Sequence, residues 1–308
     1  MQSYMGLFPA IGSMGLLIFR IEGLDLCHVL GWEQHWSLVC LHGFSIGSVA
    51  KDIKNEKRSG EIMGRWDPWR GCHRCSEGCK FCYIHKGDAK RGRDTDTIVR
   101  NENFYRLIEK KKNGDYKTKP GLIYLCFASD FLLEDADQWR DECWDIIRER
   151  SDCTFLFLTK RIERFMQCIP KDWGDGYDHV VVCCTVENQE NADRKLSVFQ
   201  KLPIKHKQIT AQPLLERINM EKYLAGIEAV VVGGESDRNA RVLDYDWVLD
   251  IREQCIRQNV SFQFRQCGTH FIKDGKEYTL QVKDLCSQAR RAGIDYDRRL
   301  LMDTGSKE

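Results

Sequence analysis

The chain has 308 residues, which suits one large α/β domain or two smaller ones. Hydrophobic residues make up 42% and charged residues 30%, so a sizeable core under a solvated surface is within reach. A net charge of +1 excludes a generic polyanion binder but leaves room for a local basic patch. Residues 4–19 are apolar but lack a basic leading region, and Arg20 and Glu22 close the run before it reaches spanning length. No membrane partner is expected. Residues 1–62 show no strand-turn-helix rhythm and read as an N-terminal extension, with the folded domain beginning near Met63.

From there short apolar runs alternate with amphipathic stretches. A weak strand at Gly64 to Trp69 is followed by strands at Leu122–Phe127, Thr154–Leu158, His179–Thr185, Lys207–Ala211, Ala229–Gly233 and Ser261–Arg265. Helices are expected at Trp139–Arg150, Arg161–Cys168, Glu190–Leu202 and Tyr245–Gln258. Continuous apolar strands between helices predict a parallel sheet covered on both faces. The fold expected is α/β, a partly open or complete parallel β/α (TIM-like) barrel of about six to seven strands. A doubly wound open sheet is the alternative, although the glycine pattern of a dinucleotide fold is missing after the first strand. The barrel spans residues 63–275. Its insertion at 86–119 carries eleven Lys/Arg against six Asp/Glu and reads as a solvated helical excursion or as a basic rim over an anionic substrate. Residues 276–308 read as a C-terminal tail.

Four of the fifteen cysteines, Cys72, Cys75, Cys79 and Cys82, fall within eleven residues. The others form no evenly spaced disulfide framework. Cys126, Cys183 and Cys184 sit in apolar runs as small core residues, which fits a reducing, cytoplasmic setting. Cys75-x3-Cys79-x2-Cys82 is the spacing by which three thiolates grip one face of a 4Fe-4S cluster and leave the fourth iron open. Gly71 and Gly78 let the backbone approach the cluster, and Phe81 stands ready to shield it. Zinc is the alternative, held by all four cysteines or by three with His73 or His85, although one tight ladder is cramped for a tetrahedron. The cysteines follow the first strand, and polar residues end the later ones: Ser129 and Asp130, Thr159 to Arg161, Thr185, Glu187 and Asn188, Gln212, Gly233 to Ser236, and Arg265 with Gln266. In a barrel these converge on one mouth.

The segments Trp69-x-Gly-Cys72, Gly78-Cys-x-x-Cys-Tyr83, Ser129-Asp130, Leu158-Thr-Lys-Arg161, Thr185-Val-Glu187, Pro213-Leu-Leu215, Val232-Gly-Gly-Glu-Ser236 and Gln266-x-Gly268 occur in order. From Met63 to His270 the chain resembles the phage-type three-cysteine-motif proteins, domain-of-unknown-function family 5131, which are similar to radical S-adenosylmethionine (SAM) barrels. The family triad maps onto Cys72, Cys79 and Cys82, whereas the common radical-SAM spacing selects Cys75, Cys79 and Cys82, so the first ligand stays open. Gln212 stands where a glutamate is usual, and Cys267 where a tryptophan is usual.

The resemblance implies that SAM is chelated at the open iron and cleaved by one electron from an external donor, and that the deoxyadenosyl radical then attacks an unknown, phage-related and so nucleic-acid-related substrate. It implies that Ser129, Asp130 and Glu187 hold the methionine or ribose end, and that Lys160 and Arg161 take the carboxylate or an anionic substrate. Gly233 and Gly234 allow close backbone approach, and Glu235 accepts a hydrogen bond. The competing reading is a zinc- or cluster-stapled nucleic-acid-binding protein with 86–119 as its basic surface. Few aromatics there (Phe104, Tyr105, Tyr116) and no RNA-binding signature stand against it.

Overall fold

The computed structural model describes the backbone of residues 16–21, 24–29, 38–40 and 62–63, and residues 64–299 with their side chains. The chain divides into two units, residues 1–59 and 60–308. In the first, β1 (Leu16–Ile21), β2 (Leu24–Val29) and β3 (Leu38–Cys40) pair as an antiparallel sheet. The expectation that residues 1–62 are an extension falls for the most part outside the described residues.

The second unit runs β4 (Ile62–Trp66), β5 (Trp69–Arg70), α1 (Tyr83–Ala89), β6 (Val99–Arg100), β7 (Leu122–Leu125), α2 (Asp137–Glu149), β8 (Thr154–Thr159) and α3 (Phe165–Cys168). It continues with β9 (Val180–Thr185), α4 (Gln189–Phe199), β10 (His206–Ala211), β11 (Ala229–Gly233), β12 (Leu243–Asp244), α5 (Tyr245–Arg257), β13 (Ser261–Gln266), β14 (His270–Lys273), β15 (Lys276–Thr279) and α6 (Leu285–Arg291).

Seven strands form one parallel sheet in the order β4-β7-β8-β9-β10-β11-β13. Each strand lies beside its predecessor, with no reversal of order. That succession curls a twisted sheet toward a barrel, whereas a doubly wound sheet reverses at a switch point. β4 and β13 are the two ends of the sheet, so the result is a half-barrel.

Side chains alternate across each strand. Ile123, Leu125, Phe155, Phe157, Val180, Val182, Ile209, Val230, Val232, Phe262 and Phe264 are buried on the convex face, under the helices. The helices present matching stripes. On α2, Arg140, Cys143, Trp144 and Ile147 recur at helical spacing and are buried; on α5, Val248, Ile251 and Cys255 do the same. Trp144 meets Phe131 edge-on at 5.1 Å and donates its indole N–H to the Cys168 carbonyl at 2.7 Å. Among the described residues no helix is long and apolar enough to cross a membrane.

The insertion is less helical than expected. After α1 it runs as loops, with β6 paired to β5 and a single 3-10 turn at Arg106–Ile108, because Phe104 and Leu107 drop into the core and pin it. Its lysine-dense part does not rim the mouth. Tyr116 reaches Glu149 at 2.8 Å, and Arg150 donates to the Thr118 carbonyl at 3.0 Å. Both contacts lie where α2 ends and β7 and β8 begin, at the amino-terminal end of the sheet. Residues 276–299, expected as a tail, carry β15 and α6. Leu285 and Ala289 of α6 are buried against β13, and Tyr296 exchanges backbone hydrogen bonds with Phe262 at 2.7 and 2.9 Å.

Candidate active site at the open end of the half-barrel

The cysteine loop joins β5 to α1, on the side where the parallel strands end. Its backbone is tied down locally: Cys72 donates to the Thr95 carbonyl at 2.8 Å, and Cys79 to that of Ser76 at 3.0 Å. A cavity of about 620 Å³ opens beneath it. Cys72, Cys79 and Cys82 line this cavity; Cys75 is exposed and does not.

The thiols differ in acidity. A hydrogen bond from Cys75 lowers Cys79 to about 4, outweighing its burial, and Lys160 and Ser76 help; the Ser76 hydroxyl lies 3.7 Å from the sulfur. Burial, with Asp130 adding to it, pushes Cys72 up to about 12 even though Arg161 stands 3.9 Å from its sulfur. Burial also raises Cys82. Cys79 is therefore the most acidic thiol of the three, and burial holds the other two in the protonated form until a cation displaces their protons.

Three thiols on one short loop opening on one cavity are the donor chemistry of an iron–sulfur cluster. A lone zinc ion would draw its donors to within about 2.3 Å of a single point. Among the described residues no group of three or more His, Cys, Asp or Glu side chains is placed to hold a metal ion, zinc and cluster iron alike. The two nitrogens of His73 face Asp96 and Asp135, each at 3.3 Å, whereas His85 is buried and lines the cavity.

Below the cysteines the strand ends meet in paired charges. Asp130 accepts from the Thr159 hydroxyl at 2.8 Å, the Lys160 backbone at 3.0 Å and Arg161 Nη1 at 3.2 Å. Arg161 in turn donates to the His73 carbonyl at 2.9 Å, tying the cysteine loop to β8. Ser129 donates to the Gly71 carbonyl. Glu187 is fully buried; it receives Lys160, the Ser76 hydroxyl at 2.5 Å and Lys195 at 3.5 Å. Burial alone would raise its carboxyl, but the two lysines outweigh that and hold it below the ordinary glutamate range. Glu235 is bound by Arg241, whose guanidinium also donates to the Glu77 carbonyl at 2.9 Å.

Of the eight residues expected at the ligand, Ser129, Asp130, Lys160, Arg161, Gly234 and Glu235 line the cavity. Glu187 and Gly233 are not among its lining residues. Glu187 stands directly behind the cysteine loop, where a Cβ on Gly78 would come within 2.6 Å of its side chain. Asn188 serves as the N-cap of α4, accepting from the Asn191 backbone at 2.9 Å. Gln212 lines the cavity; Cys267 is buried outside it. Ser76, Lys195 and Arg241 escaped the sequence reading, because nothing local marks a counter-ion that is recruited from a distant element. Gly234 is tightly constrained: an added Cβ would sit 2.7 Å from Gly268 Cα and 2.9 Å from the Cys267 carbonyl. Both are backbone atoms that no rotamer change can move, so Gly234→Ala is expected to cost roughly 1–3 kcal/mol in a denaturant titration.

A cavity at the carboxyl-terminal strand ends of a parallel half-barrel is the site position of β/α-barrel proteins. The family model for "Protein of unknown function (DUF5131)" matches residues 62–301, and the chain belongs to that family. A search of curated proteins returned no match.

Proposed function

We propose that the protein is a radical-SAM-type enzyme that modifies a nucleic-acid-related substrate. The observation that carries this reading is the sharing of one cavity by Cys72, Cys79 and Cys82 with Asp130, Lys160, Arg161 and Glu235. Those three cysteines would hold a 4Fe-4S cluster, with Cys75 outside the ligand set. When bound, such a cluster supplies an electron and an open iron for reductive cleavage of SAM to a carbon radical.

The chain's own residues do the rest. Arg161 and Ser129 anchor the loop backbone to the strand ends. Glu187 fixes the loop from behind through Ser76. Asp130 and Lys160 present fixed charges toward the cavity, and Phe81 closes part of its wall against water. An electron donor is the partner this chemistry requires, and a reducing cytoplasm is the setting it fits.

The test is anaerobic purification with metal analysis and with optical and paramagnetic spectra. A brown protein with about four irons per chain that cleaves SAM on dithionite reduction is expected. A colourless protein carrying stoichiometric zinc would overturn the reading in favour of a zinc-stapled module.

A further inference from the structure

The cavity continues past the cysteine loop along the concave face of the sheet. Barrel interiors are usually packed with Val, Ile and Leu. Here Gln208 of β10, Gln212 just beyond it and Gln263 of β13 line the space. Gln208 receives the Cys183 thiol at 3.5 Å on its carbonyl oxygen, which leaves its NH2 group free among the described residues. Gln212 and Gln263 have no side-chain hydrogen bond among the described residues. Gln212 is held close to the sheet: a Cβ on Gly233 would lie 3.1 Å from its amide carbon. Tyr124 and Phe127 also line the cavity, their ring centroids 4.7 Å apart.

The charges that line this space are paired, with one exception. Arg65 meets Asp67 at 2.5 Å, Lys160 meets Glu187, Arg161 meets Asp130 at 3.2 Å, and Glu235 meets Arg241. Arg265 has no carboxylate partner among the described residues. It is exposed, and it lies two residues beyond Gln263 on the same face of β13, about 7 Å further along.

We infer that this part of the cavity binds a nucleotide, with the base edge on the amides of Gln208 and Gln263 and the phosphate on Arg265. A primary amide sets a donor beside an acceptor, as a base edge does. A guanidinium matches the fork of a phosphate. A neutral peptide or sugar would leave the Arg265 charge unanswered. The inference rests on the proposed active site, and it deepens that reading by naming the substrate class.

Isothermal titration calorimetry on the anaerobically purified protein tests it. The titrants are the 2′-deoxynucleoside 5′-monophosphates, their nucleosides, ribose 5-phosphate and a short single-stranded oligodeoxynucleotide, with SAM titrated separately. At least one mononucleotide or the oligonucleotide should saturate, and the matching nucleoside and ribose 5-phosphate should bind about tenfold more weakly or worse. Whichever of the mononucleotide and the strand binds more tightly identifies the source of the nucleotide. Arg265→Ala should reduce nucleotide affinity to the nucleoside's level. Gln263→Ala should weaken nucleotide and nucleoside together. Both variants should keep SAM affinity, and both residues are exposed, so thermal melts should match wild type.

Absence of saturation by any nucleotide, ribose 5-phosphate binding as tightly as the nucleotide, or an Arg265→Ala variant that binds unchanged would overturn the inference. A protein that cleaves SAM but binds no nucleotide overturns this inference alone. One that binds nucleotide but never SAM overturns the radical reading and leaves the nucleotide site standing.

Discussion

Replacing Cys79 with Ala should strip the protein of iron and sulfide, bleach its colour and abolish SAM cleavage. Cys79 is the buried thiol of the loop, it lines the cavity, and it is the most acidic of the loop's cysteines. Cys82→Ala should do the same. The sharper comparison lies at the head of the loop. Cys72 lines the cavity beside Arg161, whereas Cys75 is exposed. Cys72→Ala should therefore lose the cluster. Cys75→Ala should keep most of its iron, with altered assembly because Cys79 loses its hydrogen-bond donor. Iron and acid-labile sulfide per chain, measured on anaerobically reconstituted variants, decide between the two spacings. The opposite pattern, iron lost in Cys75→Ala and kept in Cys72→Ala, would move the first ligand to Cys75.

The second large effect is expected at Glu187. Among the described residues it is the single carboxylate that pairs with both Lys160 and Lys195, and Lys195 is 1% exposed. Glu187→Ala leaves those ammonium groups without their partner inside the fold, a change that costs about 3–5 kcal/mol. For a domain of this size that lowers the melting temperature by on the order of 10 °C. Because Ser76 Oγ also binds Glu187, the cysteine loop should loosen and cluster content fall. Glu187→Gln keeps the volume and one hydrogen-bond acceptor, so it should retain more cluster than Glu187→Ala.

The pH dependence follows from the lowered carboxyl. Its ordinary value is 4.5 and the folded protein holds it below that. The folded state therefore binds this proton less readily than the unfolded chain. The stabilisation is fully present above about pH 4.5 and is lost as pH falls through the lowered value. Acid titration of the melting temperature should show this loss in wild type, and it should shrink in Glu187→Gln.

Much of this architecture is written locally in the chain. The apolar runs at 154–159, 180–185, 206–211 and 229–233 have the length and β-branched content of buried strands, and each lies within a residue or so of where the periodicity put it. The hairpin of β14 and β15 was legible too and was passed over. Asp274 and Gly275, at φ +54 and +71, are the two turn residues that such a hairpin prefers. Its strands are polar and largely exposed, so the apolar periodicity that found the others gave no signal.

What the sequence alone determined was the succession of parallel strands, the position of the cysteine loop after the first of them, and a polar residue at nearly every strand end. All of these repeat within a few residues, and backbone geometry converts them directly into structure. Tertiary structure alone decided which cysteines open on the cavity, which charges are neutralised and which is left over, and that the lysine-rich stretch sits at the far end from the site. Those outcomes depend on partners far apart in the chain. Ser76 and Glu187 are separated by 111 residues, and Arg241 and Glu77 by 164. Desolvation and Coulomb energy act on distances in space, which a one-dimensional pattern does not carry.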